Sequence, residues 1–236
     1  MKRRIFYLIV FFQITNNLMA QTTKFGFETG IGSYQMTDLK TYMNDAIQDN
    51  LLQPKVVTDF PAYLYFQPSI TFCNNSANWG FNFAVISTGA RASIRDYSGE
   101  YRYDNKAVGF APAFFEELLL YKKEKLSLYL HADVGLIYSN VQLSEYFIVN
   151  TQVYSNESIK LMSFSLFAKP VVKAIYPIYD KLNFEASIGY HFDIYSGPMV
   201  QETDPITYFR YAFFQSGKKT QWNGIRIGLG CTYNFK

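Results

Sequence analysis

The segment Gly224–Phe235, with the sequence GIRIGLGCTYNF, decides the fold of this 236-residue chain. One face of it reads Ile225, Ile227, Leu229, Cys231, Tyr233 and Phe235, and the other reads Gly224, Arg226, Gly228, Gly230, Thr232 and Asn234. Alternation with a period of two indicates a β-strand with one apolar face. Soluble strands usually have about five or six residues, whereas a strand that crosses a membrane needs about nine to eleven. The segment therefore predicts a membrane-spanning strand.

Seven further segments repeat this alternation. They cover residues 25–31, 60–72, 79–85, 107–121, 126–139, 162–176 and 182–195. In the fourth segment the alternation loses its phase at Glu116-Glu117, where we expect a β-bulge. Single-chain bacterial barrels have an even number of strands. We expect an all-β fold, a transmembrane antiparallel up-and-down β-barrel of about eight strands with long extracellular loops.

Three prolines, Pro68, Pro112 and Pro170, fall inside these predicted strands. Proline has no N–H group to donate to a strand ladder. Each proline is in phase with the outward apolar residues. We therefore expect them to disturb pairing locally and to leave the alternation intact.

The connections between predicted strands alternate between short and long. The short ones are 74–78, 122–125 and 177–181, and the long ones are 34–59, 98–106, 140–157 and 196–221. Outer-membrane barrels have short periplasmic turns and longer external loops. We expect both termini on the periplasmic side.

The first long connection contains a helical pattern. Its apolar residues are Leu39, Tyr42, Met43, Ala46, Ile47 and Leu51. Thr37 or Asp38 is the candidate N-cap, and Pro54 follows the pattern. This predicts a short amphipathic helix, which either folds back on the barrel mouth or serves as a docking or lid element for a partner.

Residues 1–20 have the layout of a cleaved secretory signal. The basic residues Lys2–Arg4 precede the apolar run Ile5–Phe12, and the small residue Ala20 stands at the expected cleavage site. The run is shorter than the roughly 20 residues of a spanning helix. We expect residues 1–20 to be removed and residues 21–236 to form one barrel domain in the bacterial outer membrane.

The charge of the chain becomes neutral without this signal. Subtracting its three basic residues from 22 lysines and arginines leaves 19, equal to the 19 aspartates and glutamates. Nucleic-acid binding normally requires a basic domain or stripe, so we expect no nucleic-acid partner. The two cysteines, Cys73 and Cys231, form no metal-type spacing, and no metal or cofactor is predicted.

The chain is rich in aromatic residues, with 20 tyrosines and 22 phenylalanines. Phe72, Trp79, Tyr121, Tyr176, Tyr179, Tyr233 and Phe235 lie near strand ends on the short-turn side, and Tyr34, Phe60, Tyr97, Tyr138, Tyr195 and Trp222 lie near the opposite ends. Aromatic belts of this kind mark the two interfaces of a membrane. The sequence predicts one belt at each interface.

If the apolar residues face lipid, a set of charged and ionisable residues faces the lumen. These residues are Glu28, His131, Asp133, Lys169, Lys173, Glu185, His191, Asp193 and Arg226. The interior of an eight-stranded barrel is only wide enough for side chains to fill it, so buried charges there must pair or stay hydrated. We expect a structural polar plug, in which Lys173 lies roughly opposite Glu185.

Two pairs in this set, His131 with Asp133 and His191 with Asp193, permit a catalytic interpretation. A carboxylate beside a histidine can orient the ring and raise its basicity, as a general base requires. Asp193 is expected near the external mouth, where Ser196 could supply a hydroxyl. No complete triad is visible, so no catalytic residue is assigned.

Basic residues in the long connections are candidates for contact with lipopolysaccharide. They are Arg91, Arg95, Arg102, Lys106, Lys218 and Lys219. Charge-assisted hydrogen bonds would join such side chains to anionic groups of outer-membrane lipid. The alternative is that these side chains are merely solvated.

The chain resembles the small outer-membrane β-barrel proteins grouped as PorT-like or OmpA-barrel-like. The most specific part of the resemblance is Gly230-Cys231-Thr232-Tyr233-Asn234-Phe235. It is similar to the terminal signal read by the barrel-assembly machinery, in which Gly230 is followed at three and five residues by the aromatics Tyr233 and Phe235. Gly228 occupies a place often held by a polar residue. The resemblance implies fold and location more than activity.

The functional expectation is a non-enzymatic barrel that acts as a scaffold or interaction protein through its extracellular loops. Envelope integrity, secretion-system assembly and adhesion all fit this expectation. Two alternatives stay open. One is a rim-active lipid or peptide hydrolase, and the other is a narrow channel or hydrophobic-ligand conduit.

Overall fold

The computed structural model describes residues 22–48, 53–74, 77–150, 152–201 and 217–235. The predicted signal sequence and Leu51 lie outside these ranges. The elements in chain order are β1 (Thr22–Gly32), α1 (Thr37–Gln48), β2 (Lys55–Asp59), β3 (Tyr63–Cys73), β4 (Asn78–Arg95), β5 (Gly99–Lys123), β6 (Leu126–Val149), β7 (Gln152–Tyr179), β8 (Leu182–Ser196), β9 (Val200–Gln201) and β10 (Gly224–Phe235).

Eight strands close into a ring of antiparallel neighbours. The order around the ring is β1, β3, β4, β5, β6, β7, β8 and β10, and β10 pairs again with β1. Thr23 lies opposite Phe235, and Gly32 lies opposite Arg226. The short strands β2 and β9 pair outside this ring, with β4 and β7 respectively. The predicted eight-stranded β-barrel is confirmed.

The two faces of the wall divide as the alternation predicted. On β10, Ile225, Ile227 and Leu229 point outward and are 50–54% exposed, while Arg226 and Thr232 point inward and are buried. The other ring strands repeat this arrangement. An apolar exterior around a polar interior is the pattern of a barrel surrounded by lipid.

The two ends of the barrel differ. The turn end carries the last residue of β3, the first residue of β4 and the connections 124–125 and 180–181. β1 begins and β10 ends there as well. The mouth end carries α1 and the parts of β5, β6 and β7 that extend beyond the other strands. The first and last described residues therefore lie at the same end as the short connections.

Strands β5, β6 and β7 have 25, 24 and 28 residues, more than twice the length that crosses a membrane. The prediction of loops at connections 98–106 and 140–157 is wrong. Both consist mostly of strand, with turns at Asp96–Ser98 and around Asn150. Polar residues on both faces of these extensions hide the period-two signal, since neither face is buried in lipid.

The predicted bulge in β5 is also displaced. Glu116 and Glu117 pair in regular register with Ala132 and His131, and the register shifts between Leu119 and Tyr121. Glu116 points outward and Glu117 inward, so the phase is retained through both glutamates.

The three strand prolines each interrupt one side of a ladder. Pairing is missing at Pro68 between β3 and β4, at Pro112 between β5 and β6, and at Pro170 between β7 and β8. On its other side each proline remains in register, as in the pairing of Pro68 with Phe27. The missing N–H group accounts for the one-sided gap.

Helix α1 forms as the apolar spacing predicted, and it folds back on the barrel mouth. Leu39 and Met43 are fully buried on its inner side. The carbonyl of Met36 accepts the amide of Lys40, so Met36 occupies the N-cap position, one residue before Thr37, the first of the two predicted candidates. In the described chain, α1 lacks the length and apolar character needed to cross a bilayer.

Candidate functional site

A continuous series of ion pairs crosses the middle of the lumen. It consists of Glu185 to Lys173 (3.5 Å), Lys173 to Glu117 (2.7 Å), Glu117 to His131 (3.0 Å), His131 to Asp133 (2.8 Å) and Asp133 to Lys169 (2.7 Å). We call these six residues the lumen network. Strands β5, β6, β7 and β8 contribute its members, so the network ties together half of the ring.

The charges of the lumen network balance when His131 is protonated. Three carboxylates then face two lysines and one imidazolium. Both ring nitrogens of His131 lie next to carboxylate oxygens, of Glu117 and of Asp133. An imidazolium donates from both nitrogens and satisfies both carboxylates, whereas a neutral ring could satisfy only one.

Neutral side chains complete the hydrogen bonding of the network. Asn82 donates to Asp133 (2.7 Å), Lys169 donates to Gln67 (2.8 Å), Thr232 donates to Glu185 (2.9 Å) and Asn78 donates to Glu117 (3.3 Å). Buried charges without such partners would carry a large desolvation cost. The predicted contact between Lys173 and Glu185 is present, although Ser187 is the residue directly opposite Lys173.

Glu117 occupies a central position that the sequence interpretation missed. Its carboxylate contacts both Lys173 and His131, and the residue is 3% exposed. The assumed bulge at Glu116-Glu117 removed it from the lumen set. Continuing the inward phase of Ala113 and Phe115 by one more step would have found it.

Glu28 lies in the lumen as predicted, outside the ion-pair series. It accepts hydrogen bonds from the Tyr65 hydroxyl (2.6 Å) and the Ser187 hydroxyl (2.9 Å). A Cβ atom at Gly228 would collide with both the Glu28 carboxyl group and the Tyr65 hydroxyl. This crowding explains why glycine stands there in place of a polar residue.

The second histidine pair lies nearer the mouth and is arranged differently. His191 Nε2 is 3.2 Å from Asp193 Oδ1, and the ring stacks on Phe167 with centroids 4.4 Å apart. The other carboxylate oxygen of Asp193 accepts the backbone amide of Trp222 at 2.6 Å. Asp193 therefore fixes the chain that enters β10. Ser196 lies opposite Ser165 in the ladder of β7 and β8.

Arg226 binds the same segment, which leads into β10, from the opposite side. Its guanidinium donates to the carbonyls of Ser33 (2.5 Å) and Trp222 (2.8 Å) and lies 4.4 Å from the ring of Tyr34. Arg226 and Asp193 thus both bind backbone groups next to Trp222. Both side chains stabilise the backbone at the mouth end, and neither belongs to the lumen network.

An apolar cluster closes the barrel above these residues. We call it the mouth cluster, and it consists of Tyr34, Met36, Leu39, Met43, Phe60 and Trp222, all at most 6% exposed. Tyr34 meets Trp222 edge-on at 5.3 Å. The prediction that Tyr34, Phe60 and Trp222 form part of an outer aromatic belt is wrong, because their side chains turn inward over the lumen.

An outer aromatic row does exist on the wall at this level. Phe83, Phe110, Tyr138 and Phe164 follow one another across β4 to β7 with ring centroids 4.9–6.5 Å apart. Of the predicted belt at the turn end, Phe72 pairs with Trp79 and Tyr233 pairs with Phe235 on the outer face.

Beyond the aromatic row, the two long hairpins of β4–β5 and β6–β7 project from the mouth end. The Asn150 amide donates to the Ser98 carbonyl at 2.8 Å, so the two tips are joined. Asp96 Oδ1 accepts both the hydroxyl and the amide of Ser98 and the amide of Gly99. Tyr97 is fully exposed at the tip.

The basic residues proposed for lipid contact have different partners. Arg91 and Arg102 share the carboxylate of Asp104, at 2.6 and 3.1 Å. Lys218 is 2.9 Å from Asp45 and lies 3.9 Å from the centroid of the Tyr42 ring. The Lys219 amide donates to Asp38. Lys106 and Arg95 are exposed.

The terminal signal residues lie on β10 at the turn end. Tyr233 and Phe235 point outward with ring centroids 5.1 Å apart, and Gly230 faces inward. Recognition by the assembly machinery stays a prediction. Within the described ranges, no group of three or more His, Cys, Asp or Glu residues has an arrangement that could hold a metal ion.

No protein-family model and no curated protein matches the chain. It is similar in structure to Neisserial surface protein A (9% identity, TM-score 0.43, covering 91% of this chain and 97% of that one). Other similar structures are the N-terminal barrel domain of OprF from Pseudomonas aeruginosa (11%, 0.41, covering 91% and 100%) and a major outer membrane protein from Thermus thermophilus (12%, 0.44, covering 90% and 99%). The barrel assignment rests on the strand pairing of this chain itself.

Proposed function

We propose that this protein is an integral barrel of the bacterial outer membrane, exported by a cleaved signal. The apolar exterior of the ring supports this location, because only closed barrels and helices satisfy their backbone groups in lipid. In this proposal the turn end with both termini faces the periplasm, and the mouth end faces outward.

Within that location, the proposed role is that of a non-enzymatic scaffold or interaction protein. The observation that carries it is the contrast between a blocked interior and an extended exterior. Ion pairs fill the lumen and the mouth cluster covers it, whereas β5, β6 and β7 continue far beyond the apolar band. The surface available to a partner is therefore on the joined hairpin tips.

The two alternative functions receive less support from these contacts. A channel or ligand conduit requires a path through the lumen network and the mouth cluster. A rim-active hydrolase requires a histidine pair that is free to reach substrate, but Asp193 binds the amide of Trp222. The PorT-like or OmpA-barrel-like grouping is part of the proposal and rests on the terminal segment from Gly230.

The test of the interaction role is site-specific photo-crosslinking in intact cells. A photoreactive residue at Tyr97 samples the projecting tips, and one at Tyr179, which is also strongly exposed, samples the turn end as a matched control. We expect a reproducible envelope partner from Tyr97 that is absent from Tyr179. Adducts from Tyr179 alone, or from neither position, would contradict the role of the tips.

The location is tested separately by membrane fractionation and heat-modifiable gel migration. Recovery as a soluble monomer would overturn the membrane proposal. Planar-bilayer conductance tests the channel alternative, and lipid-modification assays with Asp193→Asn test the hydrolase. We expect the barrel to show no conductance and the lipid to remain unmodified.

A further inference from the structure

A groove of about 270 Å³ opens on the outer wall where β2 and β3 leave a gap along β4. β3 pairs with β4 as far as Ile86, and β2 resumes pairing at Ala90. Between these strands the chain turns inward at Phe60, whose backbone is left-handed (φ 43°) and whose ring joins the mouth cluster. The inward turn creates the groove.

The groove combines apolar and positively charged walls. Val57 and Tyr63 line one side and are 60% and 45% exposed, and Arg91 and Lys106 line the other. Gly89 lies opposite Lys106 across the β4–β5 ladder and contributes no side chain. Space therefore remains between the two cationic side chains and the apolar side.

The positive charge at this groove is only partly neutralised. Arg91 and Arg102 share Asp104 at 2.6 and 3.1 Å, and Arg102 also lies 3.9 Å from Glu100, so these four charges balance. Lys106 is exposed, and no carboxylate of the described residues lies within ion-pair distance of its ammonium group. The groove thus presents the unpaired ammonium group of Lys106 to an anion, with the Arg91 guanidinium beside it.

The groove lies at the boundary of the apolar band. On β5, Lys106 is two residues beyond the outward-facing Val108, a separation of about 7 Å along a strand. Phe110 of the outer aromatic row follows Val108 on the same face. Lipid headgroups meet a membrane barrel at this level.

We propose that this groove binds the phosphorylated sugar headgroup of an outer-leaflet glycolipid. The inference rests on the proposed outer-membrane location. The phosphate accepts charge-assisted hydrogen bonds from Lys106 and Arg91, and the sugar and first acyl atoms contact Val57 and Tyr63.

The test measures lipid retention by native mass spectrometry of the detergent-solubilised barrel. The probes are a bisphosphorylated lipid A-type glycolipid, the same glycolipid after removal of its phosphates, and phosphatidylglycerol. The variants are Lys106→Gln and the double variant Lys106→Gln/Arg91→Gln. Lys125→Gln, an exposed lysine at the turn end, is the matched control.

We expect the double variant to retain the phosphorylated glycolipid about tenfold more weakly, which corresponds to about 1.4 kcal/mol. Lys125→Gln should retain the phosphorylated glycolipid as strongly as the unsubstituted protein. Retention of the dephosphorylated glycolipid should be the same for all variants. Equal retention of phosphatidylglycerol, or unchanged retention by the double variant, would overturn the proposal. Fractionation and heat-modifiable migration are measured on the same variants. If the barrel is in the outer membrane but its lipid retention does not depend on the phosphates, the lipid site is overturned and the proposed location is not.

Discussion

The pair His131 and Asp133 and the pair His191 and Asp193 have the same spacing but different surroundings. Both imidazole rings stack on a phenylalanine, at 4.6 Å on Phe115 and 4.4 Å on Phe167. The first pair continues through Lys169 into the ion-pair series of the lumen. The second carboxylate instead binds a backbone amide at the mouth. The spacing fixes the contact within each pair, and the neighbouring strands determine what the pair does.

The largest effect is expected for Asp133→Ala. The substitution leaves Lys169 and His131 buried without their shared carboxylate, and breaking such a pair costs about 3–5 kcal/mol. Urea unfolding of the refolded barrel, followed by heat-modifiable migration, measures this loss. Glu116→Ala is the control, because Glu116 is exposed on the outer face. Equal stability of the two variants would refute a structural role for the lumen network.

The two histidines can be compared directly by substitution with phenylalanine, which preserves the stacked ring. His131→Phe removes the donor to two carboxylates, whereas His191→Phe removes the donor to one at 3.2 Å. We expect His131→Phe to be less stable than His191→Phe by about 1–3 kcal/mol, the cost of an unsatisfied buried group. The same unfolding assay measures the difference, and the reverse order would contradict a role of His131 as donor to both Glu117 and Asp133.

Asp193→Ala tests the role of the second pair at the mouth. The Trp222 amide loses a charged acceptor, and a local loss of about 1.5 kcal/mol is expected. In a Trp79→Phe background Trp222 is the sole tryptophan, and its fluorescence should shift to the red as the mouth cluster opens. Asp180→Ala at the turn end should leave the emission unchanged. An unshifted spectrum for Asp193→Ala would argue against the proposed closure.

The smallest effect is expected for Asp96. Like Asp193 it accepts hydrogen bonds from backbone amides, but its side chain is exposed to water. Hydrogen bonds from the Ser98 hydroxyl, the Ser98 amide and the Gly99 amide hold the pKa of Asp96 below its ordinary value. The turn is therefore stabilised above the ordinary aspartate pKa of about 3.9 and loses this contribution as pH falls through the lowered pKa. NMR of the Ser98 and Gly99 amides in micelles should show a titration below that pH. Asp96→Asn should abolish it, and a midpoint at or above the ordinary value would contradict the prediction.

The barrel itself could be predicted from sequence because lipid imposes one apolar face on every ring strand. The inward charged residues followed from the same alternation, and all nine expected lumen residues face inward. The extensions of β5 to β7 could not be predicted in this way. Outside lipid neither face has to be apolar, and the projecting strands resemble loops in sequence.

The errors at the mouth have a second physical origin. Tyr34, Phe60 and Trp222 are aromatic residues near strand ends, and composition alone cannot separate a ring that faces lipid from one that covers the lumen. Their inward direction depends on α1 folding over the opening, which is a tertiary contact. Glu117 escapes prediction for a local reason, since two successive glutamates in an apolar strand also fit the pattern of a bulge.

The one-sided gaps at Pro68, Pro112 and Pro170 divide the cylinder into three sections. Continuous ladders join β8, β10, β1 and β3 into one section, β4 and β5 into a second, and β6 and β7 into a third. Each seam between sections contains one proline. Amide hydrogens beside the three seams should exchange with solvent deuterium before those within the sections. Each seam keeps paired residues on both sides of its proline, so the three prolines mark local weak points in an otherwise closed backbone ladder.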